Sequence, residues 1–309
     1  MRNILTINRH TPYLYLLSRA DVNLYVVNRW EEETRPIPEN VKMIDKIDEE
    51  LIKRMDAVIS HQLSDLWPLL PKSAIHRTKL IQVIHGNRKH PGSDQNYMRQ
   101  KAKSGLAHAL RPLVKQDKFD VVFISKFVAE TWPFEGTTIR HGIPTEQFPE
   151  WSGAKQSGVV VANHLERPHF RTNALKYLLE KTSIKIVGKN PSIEEASPEG
   201  WTTLLQTYKS HRYYLNLTKP PENSYNLGLL EAMAAGLPII TWEHPNQIIQ
   251  DGVEGFVVAN AEEAYTRIEQ LRNNRELASS LGQNAKRFVE EEYDIKRFTV
   301  HWEQLIDAV

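Results

Sequence analysis

The chain is 309 residues long, 40% hydrophobic and 25% charged, with a formal net charge of +1, a length that favours two domains of ordinary globular composition. Having no cysteine, it excludes a disulfide framework, a thiolate metal site and a cysteine nucleophile. No run approaches the roughly 18 to 20 uncharged apolar residues that cross a bilayer. The opening stretch is broken by Arg9, His10 and Pro12, so the sequence reads as soluble and cytoplasmic, without a signal peptide.

In the first half, short apolar, β-branched runs predict strands at residues 4–7, 24–27, 57–59, 80–84 and 121–124, as expected of strands buried on both faces of a parallel sheet. Between them the spacing predicts helices over 48–55 and 97–114, the latter carrying Met98, Ala102, Leu106, Leu110 and Leu113 three to four residues apart. The alternation implies a doubly wound sheet over residues 1–150. Asn8, Arg9 and His10 follow the first strand at its carboxyl end, where parallel sheets collect ligands. His61 follows the third strand and His85 ends the fourth. A neutral imidazole at such a position can hydrogen-bond a substrate; a purely structural strand-end histidine is the alternative.

Between 72 and 118 the chain carries eleven basic residues against Asp94 and Asp117 alone. Three readings stand side by side. One is a peripheral contact with anionic membrane at the cytoplasmic face, suited to a lipid-linked acceptor. The second, less favoured, is a nucleic-acid surface, weakened because Tyr97 is nearly the only aromatic available to stack on bases. The third is a solvated basic face.

The small and polar stretch 151–158 reads as a linker. Beyond it a second alternating series predicts strands at 159–162, 185–187, 214–217, 239–241 and 255–258, with helices near 173–180, 227–235 and 261–271. This gives a second domain over 151–294. Two further helical stretches follow, 275–292 and 295–309, the last with Phe298, Trp302, Leu305 and Ile306 on one face that must be buried somewhere.

The most informative string is Asn223 to Pro238, NSYNLGLLEAMAAGLP. Pro220-Pro221 ends a strand, Asn223 or Ser224 offers an N-cap, and Gly236 with Pro238 stops the helix. A helix N-terminus at the carboxyl end of a parallel strand presents N–H groups and partial positive charge to a diphosphate. Glu231 returns to the face of Ser224 roughly 10 Å further along the axis, where a carboxylate can accept hydrogen bonds from both ribose hydroxyls. A capped core helix with Glu231 facing solvent is the plain alternative.

This string resembles the retaining GT-B glycosyltransferases of the large bacterial family 4, whose signature is a glutamate, seven residues, a second glutamate, then Ala-Met-Ala-x-Gly-x-Pro. Weaker similarities run through Ile139 to Pro144 with Phe148, through Val187-Gly188, and through Gln247 to Gly252 with Gly255 to Val258. The resemblance implies two Rossmann-like domains (GT-B, α/β) facing each other across a cleft. It also implies that helix 295–309 crosses back to the first domain. It implies a donor, a nucleotide-diphosphate sugar (UDP or GDP), held by Asn223, Ser224, Tyr225, Asn226, Leu227 and Glu231 with Gly188 and Lys189. The acceptor would be a glycan, lipid-linked or other hydroxyl. The leaving diphosphate itself would help deprotonate that hydroxyl on the same face, without a protein nucleophile.

The family's diphosphate-binding arginine and lysine fall in the loop after residue 162, which here offers Arg167 and Arg171; His85 corresponds to an active-site histidine. No D-x-D motif and no histidine–carboxylate cluster at ligand spacing is present, so neither a metal nor any other cofactor is expected. The chain departs from the family at Asn223, where the first glutamate, a donor-sugar contact, is expected. That departure leaves open altered donor geometry or a non-catalytic nucleotide-sugar-binding homologue, beside a nucleic-acid-modifying glycosyltransferase.

Overall fold

The computed structural model describes residues 1–76, 78–88, 105, 118–193, 196–220 and 222–308. The chain forms two compact units, Met1–Gly142 with Ile295–Val309 and Ile143–Asp294.

In the first unit, seven parallel strands, β1 (Arg2–Ile7), β2 (Val22–Val27), β3 (Val41–Ile44), β4 (Ala57–Ser60), β5 (Lys79–Ile84), β6 (Phe119–Phe123) and β7 (Thr137–Thr138), lie in the order β3-β2-β1-β4-β5-β6-β7. Ile4 is in register with Leu24 on one side and Ala57 on the other, so the most apolar strands occupy the middle. The chain first builds outward from β1 to β3, then returns to the far side of β1 with β4. This reversal opens a crevice at the carboxyl ends of β1 and β4. The helix Leu63–His76 contains Pro68 and Pro71, residues that obscure it in the sequence. The predicted helix 97–114 and most of the basic stretch lie outside the described residues.

The helix Ile295–Asp307 belongs to this unit and buries Phe298, Trp302 and Ile306. The Phe298 ring stands 5.8 Å from that of Tyr13, and a Cβ at Gly142 would meet Phe298 Cβ at 2.5 Å. Lys79, only 3% exposed, donates from Nζ to the carbonyls of Leu305 (2.5 Å) and Ala308 (2.7 Å) and pairs with Asp120 at 2.9 Å. It therefore satisfies the orphan acceptors of the helix C-terminus and is not part of a basic surface.

The second unit holds five parallel strands, β8 (Lys155–Val161), β9 (Ile184–Val187), β10 (His211–Leu215), β11 (Ile239–Trp242) and β12 (Gly255–Val258), in the order β12-β11-β10-β8-β9. Alternate residues serve opposite faces: Val159, Tyr214 and Ile239 pack with Leu229, Leu230 and Met233, while Val160, Tyr213 and Ile240 pack with Ala264, Ile268 and Leu271. The unit begins ahead of the boundary read at 150/151, because Ile143 and Phe148 are buried in the same cluster as Tyr208 and Tyr225. Residues 151–158 are not a linker. Trp151 Nε1 donates to the His211 carbonyl at 2.8 Å, and β8 already pairs with β10 at Lys155.

β10 begins at His211, three residues before the predicted strand. His211 and Arg212 look like loop residues yet are buried. The Arg212 guanidinium donates to the carbonyls of Gly153, Leu271 and Arg272, which makes its burial tolerable.

Candidate functional site

In the second unit the order of strands reverses at β8, with β9 on one side and β10 on the other, and the loops leaving the carboxyl ends of β8 and β10, 162–171 and 216–226, lie together. Arg171 N donates to Leu217 O at 3.0 Å and Lys219 N to His169 O at 3.0 Å. Loop 162–171 is braced from its other side by the turn after β9. Asn163 Oδ1 accepts from Lys189 N at 2.7 Å, and Asn190 Nδ2 donates to Ala162 O at 2.8 Å. Gly188, at φ +129°, permits that approach, since a Cβ there would sit 2.3 Å from Ala162 O.

After loop 216–226 comes the helix Leu227–Ala234, whose N-cap is Asn226: its side chain accepts from Leu229 N at 2.9 Å. The predicted caps, Asn223 and Ser224, turn elsewhere. Asn223 Nδ2 donates to Tyr225 O at 2.9 Å and its Oδ1 accepts from Asn246 Nδ2 at 2.5 Å; Ser224 Oγ donates to Asn246 O. Capping by Asn226 leaves Leu227 and Gly228 with N–H groups that have no intrahelical partner. Gly236, at φ +83°, closes the helix as a Schellman turn, with Gly236 N donating to Met233 O and Leu237 N to Ala232 O.

Glu231 does not face solvent. It is 6% exposed on a helix otherwise buried through Leu229, Leu230, Ala232, Met233 and Ala234, with the Tyr208 hydroxyl 3.3 Å from its Oε2. Burial, and then the Glu231 charge, push the Tyr214 phenol upward. A carboxylate at this depth costs desolvation energy, part of which the Tyr208 hydroxyl offsets. Gly228 lets the helix start lie against β8, since a Cβ there would stand 3.1 Å from Val161 O.

Arg171 donates from Nη1 to Thr218 O at 3.0 Å, and its guanidinium carbon sits 5.5 Å from the Trp242 ring centre. Burial lowers its pKa, without threatening a charge that guanidinium keeps in proteins. The Arg167 side chain is exposed and makes no hydrogen bond or ion pair among the described residues.

In the first unit, the crevice at β1 and β4 collects imidazoles. Nδ1 of His61 lies 3.0 Å from Nε2 of His85, and the His10 and His85 ring centres are 4.7 Å apart. The rings of His61, His85 and His141 stand edge-on around Tyr13 at 5.4, 4.9 and 5.7 Å. Burial is the first cause that lowers all four histidines, followed for His61, His85 and His141 by charge from their neighbours. His61 falls to about 3 and His141 to about 4, with His85 well below its ordinary value. They are therefore neutral at pH 7, and the bond between His61 and His85 requires one ring to donate and the other to accept. Among the described residues, His61 Nε2, His141 Nδ1 and Asn8 Oδ1 are buried without a hydrogen-bond partner, an unusual concentration of unmet polar atoms for a folded interior. Arg9 is committed to buried Asp65, at 2.9 and 2.5 Å.

Residues 167–304 match the model of a family described as glycosyl transferase-like. No curated protein matches the chain. Among solved structures, Anabaena Alr3699/HepE in complex with UDP-glucose superposes with a TM-score of 0.75 over 100% of both chains at 12% identity. The sucrose-phosphate synthase of Thermosynechococcus elongatus gives 0.70 over 99% of this chain and 98% of that one, at 13% identity. S. aureus TarM, as a point mutant with Fondaparinux, alpha-GlcNAc-glycerol and UDP, gives 0.64 over 84% of this chain at 17% identity, and this chain spans 57% of its length.

The fold is that of the GT-B glycosyltransferases.

Within this GT-B chain, the second unit brings Arg171, Asn223, Ser224, Tyr225, Asn226 and Leu227 to one end of its sheet. Gly188 and Lys189 buttress the neighbouring loop, and Arg167 points to solvent. His85 belongs to the first unit. Sequence reasoning missed Asn246 and Tyr208, which sit far along the chain from the motif they contact and carry no pattern of their own, and missed the Arg9–Asp65 pair. Among the described residues, no group of three or more His, Asp or Glu stands where it could hold a metal ion. No helix among them is long and apolar enough to cross a membrane. Of the basic stretch, Arg88 is also engaged, donating to Thr131 O at 2.8 Å.

Proposed function

We propose that this protein is a glycosyltransferase. In this reading it moves a sugar from a UDP- or GDP-sugar to an acceptor hydroxyl, with retention and without a bound metal, in glycolipid or cell-surface glycan synthesis. The observation that carries the reading is Glu231, a buried carboxylate on a helix whose start, capped by Asn226, lies where the strand order of the second sheet reverses. The helix start offers N–H groups and positive potential to the diphosphate, and Glu231 offers acceptors to the ribose hydroxyls.

The bond from the sugar's anomeric carbon to the diphosphate oxygen breaks and one to the acceptor oxygen forms. The acceptor's proton passes to the leaving diphosphate, whose developing charge Arg171 and Arg167 stabilise. His85, a neutral imidazole on the first unit, offers a hydrogen bond to a substrate hydroxyl. The Anabaena structure's complex with UDP-glucose, a donor of this class, supports the reading.

Incubation with a panel of UDP- and GDP-sugars tests it. One nucleotide sugar is expected to raise the melting temperature and to be slowly hydrolysed, releasing its nucleoside diphosphate. Neither stabilisation nor release with any member would overturn the proposal, while stabilisation without turnover on any acceptor would favour a non-catalytic binder.

A further inference from the structure

Loop 222–226 is tied to the turn after β11 by side-chain amides instead of charges. Asn246 Nδ2 donates to Asn223 Oδ1 at 2.5 Å, Asn223 Nδ2 donates to Tyr225 O at 2.9 Å, Ser224 Oγ donates to Asn246 O, and Asn246 N donates to His244 Nδ1 at 3.0 Å. Asn216 secures the loop's other flank, donating to Ser224 O at 2.8 Å and to Thr241 Oγ1 at 3.1 Å. Asn223 is 9% exposed, and its carboxamide uses its donor and its acceptor at once, towards two different segments of backbone and side chain. An ionised carboxylate in its place has no N–H for the Tyr225 carbonyl, whereas the carboxamide carries donor and acceptor on separate atoms.

We propose that Asn223 and Asn246 form a buckle that fixes loop 222–226 ahead of the Leu227 helix, and that Asn223 acts on a bound nucleotide-diphosphate sugar through that loop instead of touching the sugar. The second clause rests on the donor reading given above; the first does not. Asn223 is then a positioning residue. The buckle sets the backbone that leads into Asn226 and its cap, so loosening it costs the diphosphate its prearranged N–H groups. The sugar is affected only as cargo on that diphosphate.

The test is a double-mutant cycle with N223A, N246A and the double variant, supplemented by N223E, which replaces the amide with a carboxylate. Two readouts are taken: denaturant unfolding, and calorimetric affinity for UDP, GDP and their glucose derivatives. In unfolding, the single variants are expected to be non-additive by about tenfold in the folding constant, the coupling of residues in one hydrogen-bond network. In binding, N223A and N246A are expected to weaken the nucleoside diphosphate and its sugar derivative by the same factor, about tenfold, with the ratio of the two affinities unchanged. N223E is expected to weaken both in parallel.

Additive unfolding effects overturn the buckle. A loss at N223A confined to the sugar derivative, with the nucleoside diphosphate bound as tightly as before, overturns the positioning role and makes Asn223 a sugar ligand. If the unaltered protein binds none of the four compounds, the donor reading and the second clause fail together, while the unfolding cycle still decides the buckle.

Discussion

The carboxyl ends of the two sheets use the same backbone device with opposite side-chain chemistry. In both, the order of strands reverses beside the first strand of the sheet and opens a crevice there. The second unit furnishes it mainly with amides, Asn216, Asn223, Asn226 and Asn246, which keep the same charge at every pH, with the imidazole of His244 beside them, its pKa lowered by burial. The first furnishes it with imidazoles held neutral by burial. Topology thus decides where a site forms, and side chains decide whether it answers to acid.

Acid should separate the two most widely. A histidine kept neutral in the folded state but free to protonate at its ordinary value when unfolded contributes stability that is complete above about pH 6.5. That stability is lost as pH falls towards the folded value, here about 3 for His61 and about 4 for His141. Each contributes a slope of about 1.4 kcal/mol per pH unit across that window. Hydrogen exchange followed by mass spectrometry from pH 7 to pH 4, corrected for intrinsic rates, should show the first unit losing several kcal/mol and the second, where burial also lowers His211 and His244, losing less. His61→Phe should flatten the slope, and equal losses in both units would erase the distinction.

Glu231→Gln tests the chemistry of the second site. Turnover of a nucleotide sugar should fall about 100-fold, the scale of lost charged hydrogen bonds, with circular dichroism unchanged; steady-state kinetics measures it. Lys79→Met probes the first unit away from its histidines. Stability should drop by about 2 kcal/mol, read as faster exchange in Ile295–Asp307 with none in the second unit. The smallest effect is Asn226→Ala, about 1 kcal/mol for a lost N-cap, with Asn226→Asp close to neutral by denaturant midpoint.

Much of this architecture could be read in the residues. The apolar runs located most strands of both sheets, and Gly236 with Pro238 marked the end of the helix at Ala234. What escaped has identifiable physical causes. β3 was invisible because it lies at the sheet's margin with Lys42 and Met43 exposed, and the start of β10 was hidden by buried His211 and Arg212. The string Asn-Ser-Tyr-Asn offers three capping residues, and Asn246, twenty positions further on, selects among them by engaging Asn223 and Ser224. The burial of Glu231 depends on Tyr208 and Tyr214, which no local pattern ties to it. Histidines 10, 61 and 85 were individually visible at strand ends and His141 only within the string Ile139 to Pro144, but only the fold makes them neighbours.

The helix that Lys79 caps also bears on the order of folding. Residues 143–294 form one uninterrupted stretch inserted between the two pieces of the other unit. On the ribosome, the second unit can therefore fold as soon as its own residues emerge. The first unit, although begun earlier, must hold the surface around Tyr13 and Lys79 uncovered until Phe298, Trp302 and Ile306 have been made. The unit that starts first is finished last, and throughout that interval an exposed apolar seam is what a chaperone would recognise.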